Sequence, residues 1–212
     1  MRDNFGLRLQ VIETAQAITC QGLGQGTSGN VSVRVDGGFL VTPSAIPYDQ
    51  CQIEDVVFVD MDGRSHGMHK PSTEWRFHRD IYAARKEVSA ILHTHAPACT
   101  ALACLHKSIP AFHYMVAMAG GEDIRCTPYA TFGTQELSDH AVRALQNRKA
   151  CLLANHGMIC VEQDLQRCLS LAMVVEELAG IYCQTLQIGE PNILTESQMA
   201  DVLAKFIDYK QT

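Results

Sequence analysis

Two histidines one residue apart, His93 and His95, together with the distant triplet Asn155-His156-Gly157, are the side chains of this chain best suited to chemistry. In an extended segment, residues two apart point to the same side. His93 and His95 can therefore aim two imidazoles at one point, and His156 could close on it from elsewhere in the fold. Three neutral nitrogens around an open coordination position form the arrangement a Lewis-acid zinc needs. The pair ends an apolar stretch and is followed by Ala96-Pro97 and a new helix, and strand ends are where α/β folds place their sites. For His156 alone a plainer reading stands beside this one: a turn in which Gly157 takes positive φ and the histidine is exposed.

Glu74 opens a helical segment. Taken singly it is a surface glutamate that favours the positive end of the helix dipole; near a metal it would be a ligand or a general base. Ser72 and Thr73 offer hydroxyls and backbone N–H groups at the same helix start, a place that suits an anion. The loop from Gly26 to Asn30 could add further N–H donors. It is neither a Walker A loop nor a Gly-x-Gly-x-x-Gly fingerprint, so nucleotide binding has no support. His66, His69, His78, His106, His113 and His140 show no paired spacing and read as surface or core residues. Tyr114, before an apolar stretch, reads by itself as core.

The elements that must position these groups follow from periodicity. Residues 5–21 carry Leu7, Val11, Ile12, Ala15 and Ile18 at helical spacing. After the glycine-rich loop 22–30, residues 31–35 alternate like a strand, and Asp36-Gly37-Gly38 turns them toward 39–42 as a hairpin. A strand is expected over 56–60, a helix from Pro71 to Arg85, a strand over 90–95 and a short buried helix over 98–105. Further helices are expected over 135–147, 164–188 and 196–208, the last opening on the capping-box pattern Thr195-Glu196-Ser197-Gln198. Between the first two of these, residues 150–161 are two apolar stretches broken at Asn155-His156-Gly157. No repeat or linker divides the chain, so residues 1–212 read as one α/β domain.

Composition narrows the function classes. The chain has 212 residues, a net charge of −6, 47% hydrophobic and 19% charged residues, as expected of a globular enzyme-sized domain. There is no basic cluster, so a nucleic-acid surface has little support. The nine cysteines form no Cys-x-x-Cys pair and sit mostly in apolar runs, which reads as buried reduced thiols in a cytoplasmic protein. The N-terminus lacks the apolar core of a signal peptide, and no uncharged apolar run reaches the ~20 residues of a membrane span.

In this order, the segments resemble the class II aldolase/adducin family, and within it the bacterial branch that acts on L-fuculose 1-phosphate. The resemblance rests on Gln25-Gly26-Thr27-Ser28-Gly29-Asn30-Val31-Ser32-Val33-Arg34, Ser72-Thr73-Glu74-Trp75-Arg76-Phe77-His78, Ser108-Ile109-Pro110-Ala111-Phe112-His113-Tyr114-Met115 and Pro128-Tyr129-Ala130-Thr131-Phe132-Gly133-Thr134. It runs from about residue 5 to Tyr209. It implies a three-layer α/β/α sandwich around a largely antiparallel sheet, assembled as a cyclic homotetramer with sites at subunit interfaces. His93, His95 and His156 match the family's zinc ligands. Glu74 matches a carboxylate that binds zinc at rest and becomes the acid/base during turnover. Tyr114 matches a tyrosine that reaches a neighbouring subunit's site and protonates the aldehyde oxygen. Gly29, Asn30, Ser44, Ala45, Ser72 and Thr73 match phosphate-binding positions, and Phe132 and Tyr209 match residues that shape the aldehyde end. The family's Thr-Gly at the phosphate loop is Ser44-Ala45 here, and Ala45 loses glycine's freedom if that position needs positive φ.

The implied reaction is cleavage of L-fuculose 1-phosphate, or a closely related deoxyketose 1-phosphate, to dihydroxyacetone phosphate and an aldehyde such as L-lactaldehyde, through a metal-stabilised enediolate. Rival readings on the same scaffold are an epimerase, dehydratase or decarboxylase of sugar phosphates. The epimerase relatives carry His-x-Asp after the Ile-Pro-Ala stretch, where this chain has His113-Tyr114-Met115. A non-catalytic adducin-like module is disfavoured by retention of all three histidines and Glu74.

Overall fold

The computed structural model describes residues 4–209, with side chains as far as 206. Helix α1 (Phe5–Cys20) leads through the glycine loop into strands β1 (Asn30–Val35) and β2 (Gly38–Val41), then β3 (Val57–Asp60) and β4 (Ser65–His66). Helix α2 (Trp75–Ala84), β5 (Ala90–Thr94), α3 (Pro97–Cys104) and β6 (Arg125–Cys126) follow. The chain closes with α4 (Gln135–Ala144), β7 (Ala150–Leu153), β8 (Gly157–Glu162), α5 (Leu165–Ile188) and α6 (Glu196–Tyr209). The strands make one sheet in the order β4-β3-β2-β1-β5-β8-β7-β6, antiparallel at every pairing except β6 with β7.

Period-two alternation sorts the strand residues between two faces. Val31, Val33, Leu92, Met158 and Cys160 join a core under α1, α3 and α5. Phe39, Val41, Val57, Ile91 and Ile159 join a second core under α2 and α4. Helices on both faces of a largely antiparallel sheet give the expected three-layer sandwich. A fully buried side chain such as Phe77 or Ile81 of α2 contributes about 1.5–3 kcal/mol of transfer free energy, and these two fix α2 against the sheet.

The ends differ from the sequence reading where the backbone turns. Helix α2 begins at Trp75, so Glu74 stands just before the helix rather than in its first turn, and its side chain makes no cap. Helix α4 stops at Ala144, with a left-handed Asn147 further on. The α5 start is capped by the Asp164 carboxylate, which accepts from the Arg167 N–H at 2.7 Å. At α6 the capping box closes reciprocally: the Gln198 N–H donates to Thr195 Oγ1 at 3.2 Å, and the Thr195 N–H donates to Gln198 Oε1 at 2.9 Å.

By length and composition alone α5 could cross a membrane. Here one of its faces, with Leu171, Ala172, Val175 and Ala179, is buried in the core. Its Glu176 carboxylate accepts from the backbone N–H groups of Ala98 and Cys99 at the start of α3, at 2.7 and 2.9 Å. All nine cysteines are free thiols, and five of them are buried. Burial pushes the Cys151 thiol up to about 12, which leaves it protonated and unreactive.

Candidate active site

The site is assembled at one end of the central strands. Asn30 on β1 pairs with His93 on β5, which in turn pairs with Ile159 on β8. Alternation along β5 turns His93 toward α2, where Phe77 meets its ring edge-on at 5.6 Å. His95, just past the strand, falls on the same side. The Nδ1–H of His93 donates to the Met158 carbonyl at 2.9 Å, because a carbonyl can only accept. In the neutral ring this puts the hydrogen on Nδ1 and turns Nε2, 3.1 Å from Nε2 of His95, to the group. His156 completes the group from the turn between β7 and β8. Its ring centroid lies 4.7 Å from that of His93 and 4.8 Å from that of His95, and one nitrogen of each ring lies within 4.8 Å of the others.

Glycines permit this approach. A Cβ at Gly157 would collide with the Thr94 carbonyl and come within 3.0 Å of the His95 ring. At Gly29, with φ of 91°, a Cβ would strike the His93 carbonyl. The positive φ expected at Gly157 is found instead at Asn155, at 55°; asparagine tolerates this region better than most residues. The Asn155 amide oxygen meets Nε2 of His106 at 2.6 Å. The plain-turn reading of the triplet therefore fails in both respects, since His156 faces the other two histidines.

Glu74 is not on the surface either. It is 6% exposed, with Oε2 3.2 Å from Nε2 of His93 and Oε1 3.4 Å from Nε2 of His156. The Asn30 amide donates from Nδ2 to Oε2 at 3.0 Å. Oε1 has no hydrogen-bond partner among the described residues. Burial alone would raise the Glu74 carboxyl, but His93, His156 and the Asn30 amide outweigh it and hold it down at about 2. Burial, with repulsion from His93, pushes His95 and His156 down to about 4, so both are neutral near pH 7. Three converging imidazoles beside a carboxylate with an orphaned oxygen fit a divalent cation, and nitrogen-rich ligation suits zinc.

Beside this group opens a cavity of about 440 Å³ lined by Gly29, Asn30, Ser44, Ala45, Ser72 and Thr73, and also by Glu74, His95 and His156. Its rim is tied together by backbone. Pro43 and Pro71 form a bridge, the Ser44 N–H donates to Lys70 O, and the Ser72 N–H donates to Thr42 O, each of these bonds 3.0 Å long. Ala45 sits at φ of 63°, so the position does require the left-handed region that alanine disfavours. Among the described lining residues there is no lysine or arginine, so the donors this chain offers an anion are hydroxyls and amides.

Phe132, 65% exposed, also lines the cavity, as do Tyr129 and Ala130. Tyr129 lies inside the Pro128–Thr134 stretch, where no spacing signal singles it out. Tyr114 is not brought to the cavity. It opens a 3-10 turn (Tyr114–Ala119) and is 50% exposed, which corrects its reading as core. Its ring stacks on Phe206 at 6.4 Å beside a separate apolar hollow with Val202 and Lys205. Tyr209 ends α6, and its side chain lies outside the described residues. Two roles escaped the sequence reading. The Asn30 amide is committed to Glu74 and to His78, and His78 is a fully buried, hydrogen-bonded member of the site's support.

A mostly antiparallel sheet sandwiched by helices, with three imidazoles and a carboxylate at one end, defines the class II aldolase kind of lyase. Residues 9–183 match the Class II Aldolase and Adducin N-terminal domain, and the chain belongs to that family, whose aldolases use a divalent metal. It is 54% identical over 205 residues to the 5-methylthioribulose-1-phosphate/5-deoxyribulose-1-phosphate aldolase of Rhodospirillum rubrum, covering 97% of this chain and 93% of that one. It is 49% identical over 204 residues to the L-fuculose phosphate aldolase of Escherichia coli strain K12, covering 96% and 95%. A solved L-fuculose 1-phosphate aldolase superimposes with a TM-score of 0.93 at 36% identity, over 97% of this chain and 98% of the other.

Proposed function

We propose that this chain is a zinc-dependent aldolase that cleaves a deoxyketose 1-phosphate between C3 and C4, releasing dihydroxyacetone phosphate and a short aldehyde. The observation that carries this reading is the convergence of His93, His95, His156 and Glu74 beside a cavity that Glu74, His95 and His156 line together with Ser44, Ser72 and Thr73. His93, His95 and His156 would hold the cation, with Glu74 beside it. When bound, the cation supplies Lewis-acid stabilisation of the negative charge that builds on the oxygens next to the breaking bond.

The rest falls to the chain. The hydroxyls of Ser44, Ser72 and Thr73, with the backbone of Gly29, Asn30, Ala45 and Thr73, anchor the phosphate and so fix C3 relative to Glu74. Glu74, ionised at rest, removes the C3 proton in the synthetic direction; in cleavage it first takes up a proton, the equivalent of the one released from the C4 hydroxyl, and passes it to C3. The C4 hydroxyl proton leaves as the aldehyde forms. Tyr114, turned outward from its own subunit, is the group proposed to handle that proton in a neighbour's site, within a homotetramer. Phe132, with Tyr209, is proposed to bound the aldehyde end. The chain is proposed to act as one domain of 1–212, in the reducing cytoplasm that suits its free thiols.

L-Fuculose 1-phosphate would yield L-lactaldehyde, whereas a 5-deoxy- or 5-methylthio-ribulose 1-phosphate would yield acetaldehyde or methylthioacetaldehyde. The similarity to an aldolase of the latter pair keeps them beside fuculose. A panel of these three ketose 1-phosphates, with dihydroxyacetone phosphate release as readout, tests the reading. Release from at least one supports it and ranks the aldehydes; release from none overturns it.

A further inference from the structure

Behind Glu74 runs a buried chain of hydrogen bonds whose direction follows from the carboxylate as far as Ser32. A carboxylate can only accept, so Asn30 must turn its amide nitrogen toward Glu74 Oε2, at 3.0 Å. Its amide oxygen then faces Nε2 of His78 at 2.6 Å, and that nitrogen must carry the hydrogen. On the far side of the ring, Nδ1 lies 2.7 Å from Ser32 Oγ, which lies 2.8 Å from the Tyr82 hydroxyl. With Nε2 protonated, a neutral ring accepts at Nδ1 from Ser32, and Ser32 accepts from Tyr82. His78 is fully buried between Phe39 and Phe77, with ring centroids 6.2 and 4.6 Å away. Burial, with a lesser push from His93, lowers it to about 3 despite the pull of Glu74.

We propose that His78 is a positioning residue: as a neutral imidazole donating from Nε2, it fixes the Asn30 amide so that its NH2 end holds Glu74 by Oε2 and leaves Oε1 free of hydrogen bonds. This rests on the acid/base reading of Glu74. Without the His78 donor the Asn30 amide is held by Glu74 alone, which no longer dictates its orientation once Glu74 carries a proton and can donate. Flipped, it would set an oxygen against the carboxylate. Packing alone does not require this chemistry, since an apolar side chain of similar size would fill the space between Phe39 and Phe77.

The test compares His78→Leu, which removes the donor, with His78→Gln, whose amide nitrogen can stand in for Nε2. In zinc-loaded protein, the leucine variant is expected to lose kcat by about 10- to 100-fold with full metal content, a typical loss for a supporting partner of a site. KM is expected to stay within about twofold, and glutamine should restore most of kcat. Equal losses in both variants would make His78 mere packing and overturn the proposal. Independently, long-range proton–nitrogen NMR of the wild-type protein should show His78 with Nε2 protonated and Nδ1 bare; the opposite tautomer or an imidazolium overturns it. Should the leucine variant fail to fold, the tautomer and the glutamine variant decide, and a glutamine variant below about a tenth of wild-type kcat counts against it. The tautomer is read without turnover, so a wild-type protein inactive on all three substrates would sink the reading of Glu74 and leave the orientation of Asn30 separately tested.

Discussion

Asn30 and His93 stand directly opposite one another on β1 and β5, and that one register position brings together the amide that grips Glu74 and the imidazole that faces it. A one-residue slip would turn every side chain of β1 to the other face. The site is therefore as sensitive to strand pairing as to the identity of its ligands.

Glu74→Gln is expected to keep the three histidines and bound zinc but to lower kcat by about 100-fold or more, since it removes a proton-transfer group. Chelator dialysis should abolish cleavage, and zinc should restore it. A zinc-loaded Gln variant with full turnover would reassign the proton transfer to another group.

Gly157→Ala places a methyl group against the Thr94 carbonyl and close to the His95 ring. Zinc affinity should fall by about 10- to 100-fold, as for loss of a ligand's support, read by competition with a fluorescent chelator. Unchanged affinity would show that β5 and the turn before β8 can separate without moving the histidines.

Ala45→Gly relieves a left-handed alanine at φ of 63°. The gain, offset by the greater freedom of glycine in the unfolded chain, should be about 0.5–1 kcal/mol in urea unfolding. A less stable variant would mean that Ala45 makes contacts that outweigh its backbone strain.

Tyr114→Phe should slow cleavage while leaving zinc content intact, because only the phenolic proton is lost. Sedimentation of the wild type is expected to give a tetramer. A fully active monomer would remove both the neighbouring-subunit role of Tyr114 and the proposed assembly.

Asp80 links α2 to α4: it accepts from Ser138 Oγ and Gln135 Nε2, both at 2.6 Å, and from Arg79 Nε at 2.7 Å. Burial would raise its carboxyl, but these hydrogen bonds from Arg79, Ser138 and Gln135 hold it below the usual aspartate value. A depressed folded-state pKa stabilises above the unfolded value of about 3.9 and is lost as pH falls through the folded one. Asp80→Asn should therefore cost about 1–2 kcal/mol at pH 7 and progressively less below about pH 4. A penalty independent of pH would assign the effect to geometry alone.

The sequence by itself determined the longer helices and the strands β1, β2, β3 and β5, because alternation in β1 and β5 and helical spacing in α1 and α5 are local consequences of burial; the two-residue strands β4 and β6 escaped it. It also set His93 and His95 on one side of a strand, since that follows from the pleat. Resemblance supplied the association with Glu74, His156 and the serine rim, which local spacing could not. Only the tertiary structure decided that Glu74 is buried and held by Asn30, that Asn155 rather than Gly157 takes positive φ, and that Tyr114 turns outward onto Phe206. It alone joined His78 to the site. Each of these depends on which strands pair and in what register, and on how closely a helix or turn can approach the sheet. Those are contacts between residues tens of positions apart, which no local pattern of residue types encodes.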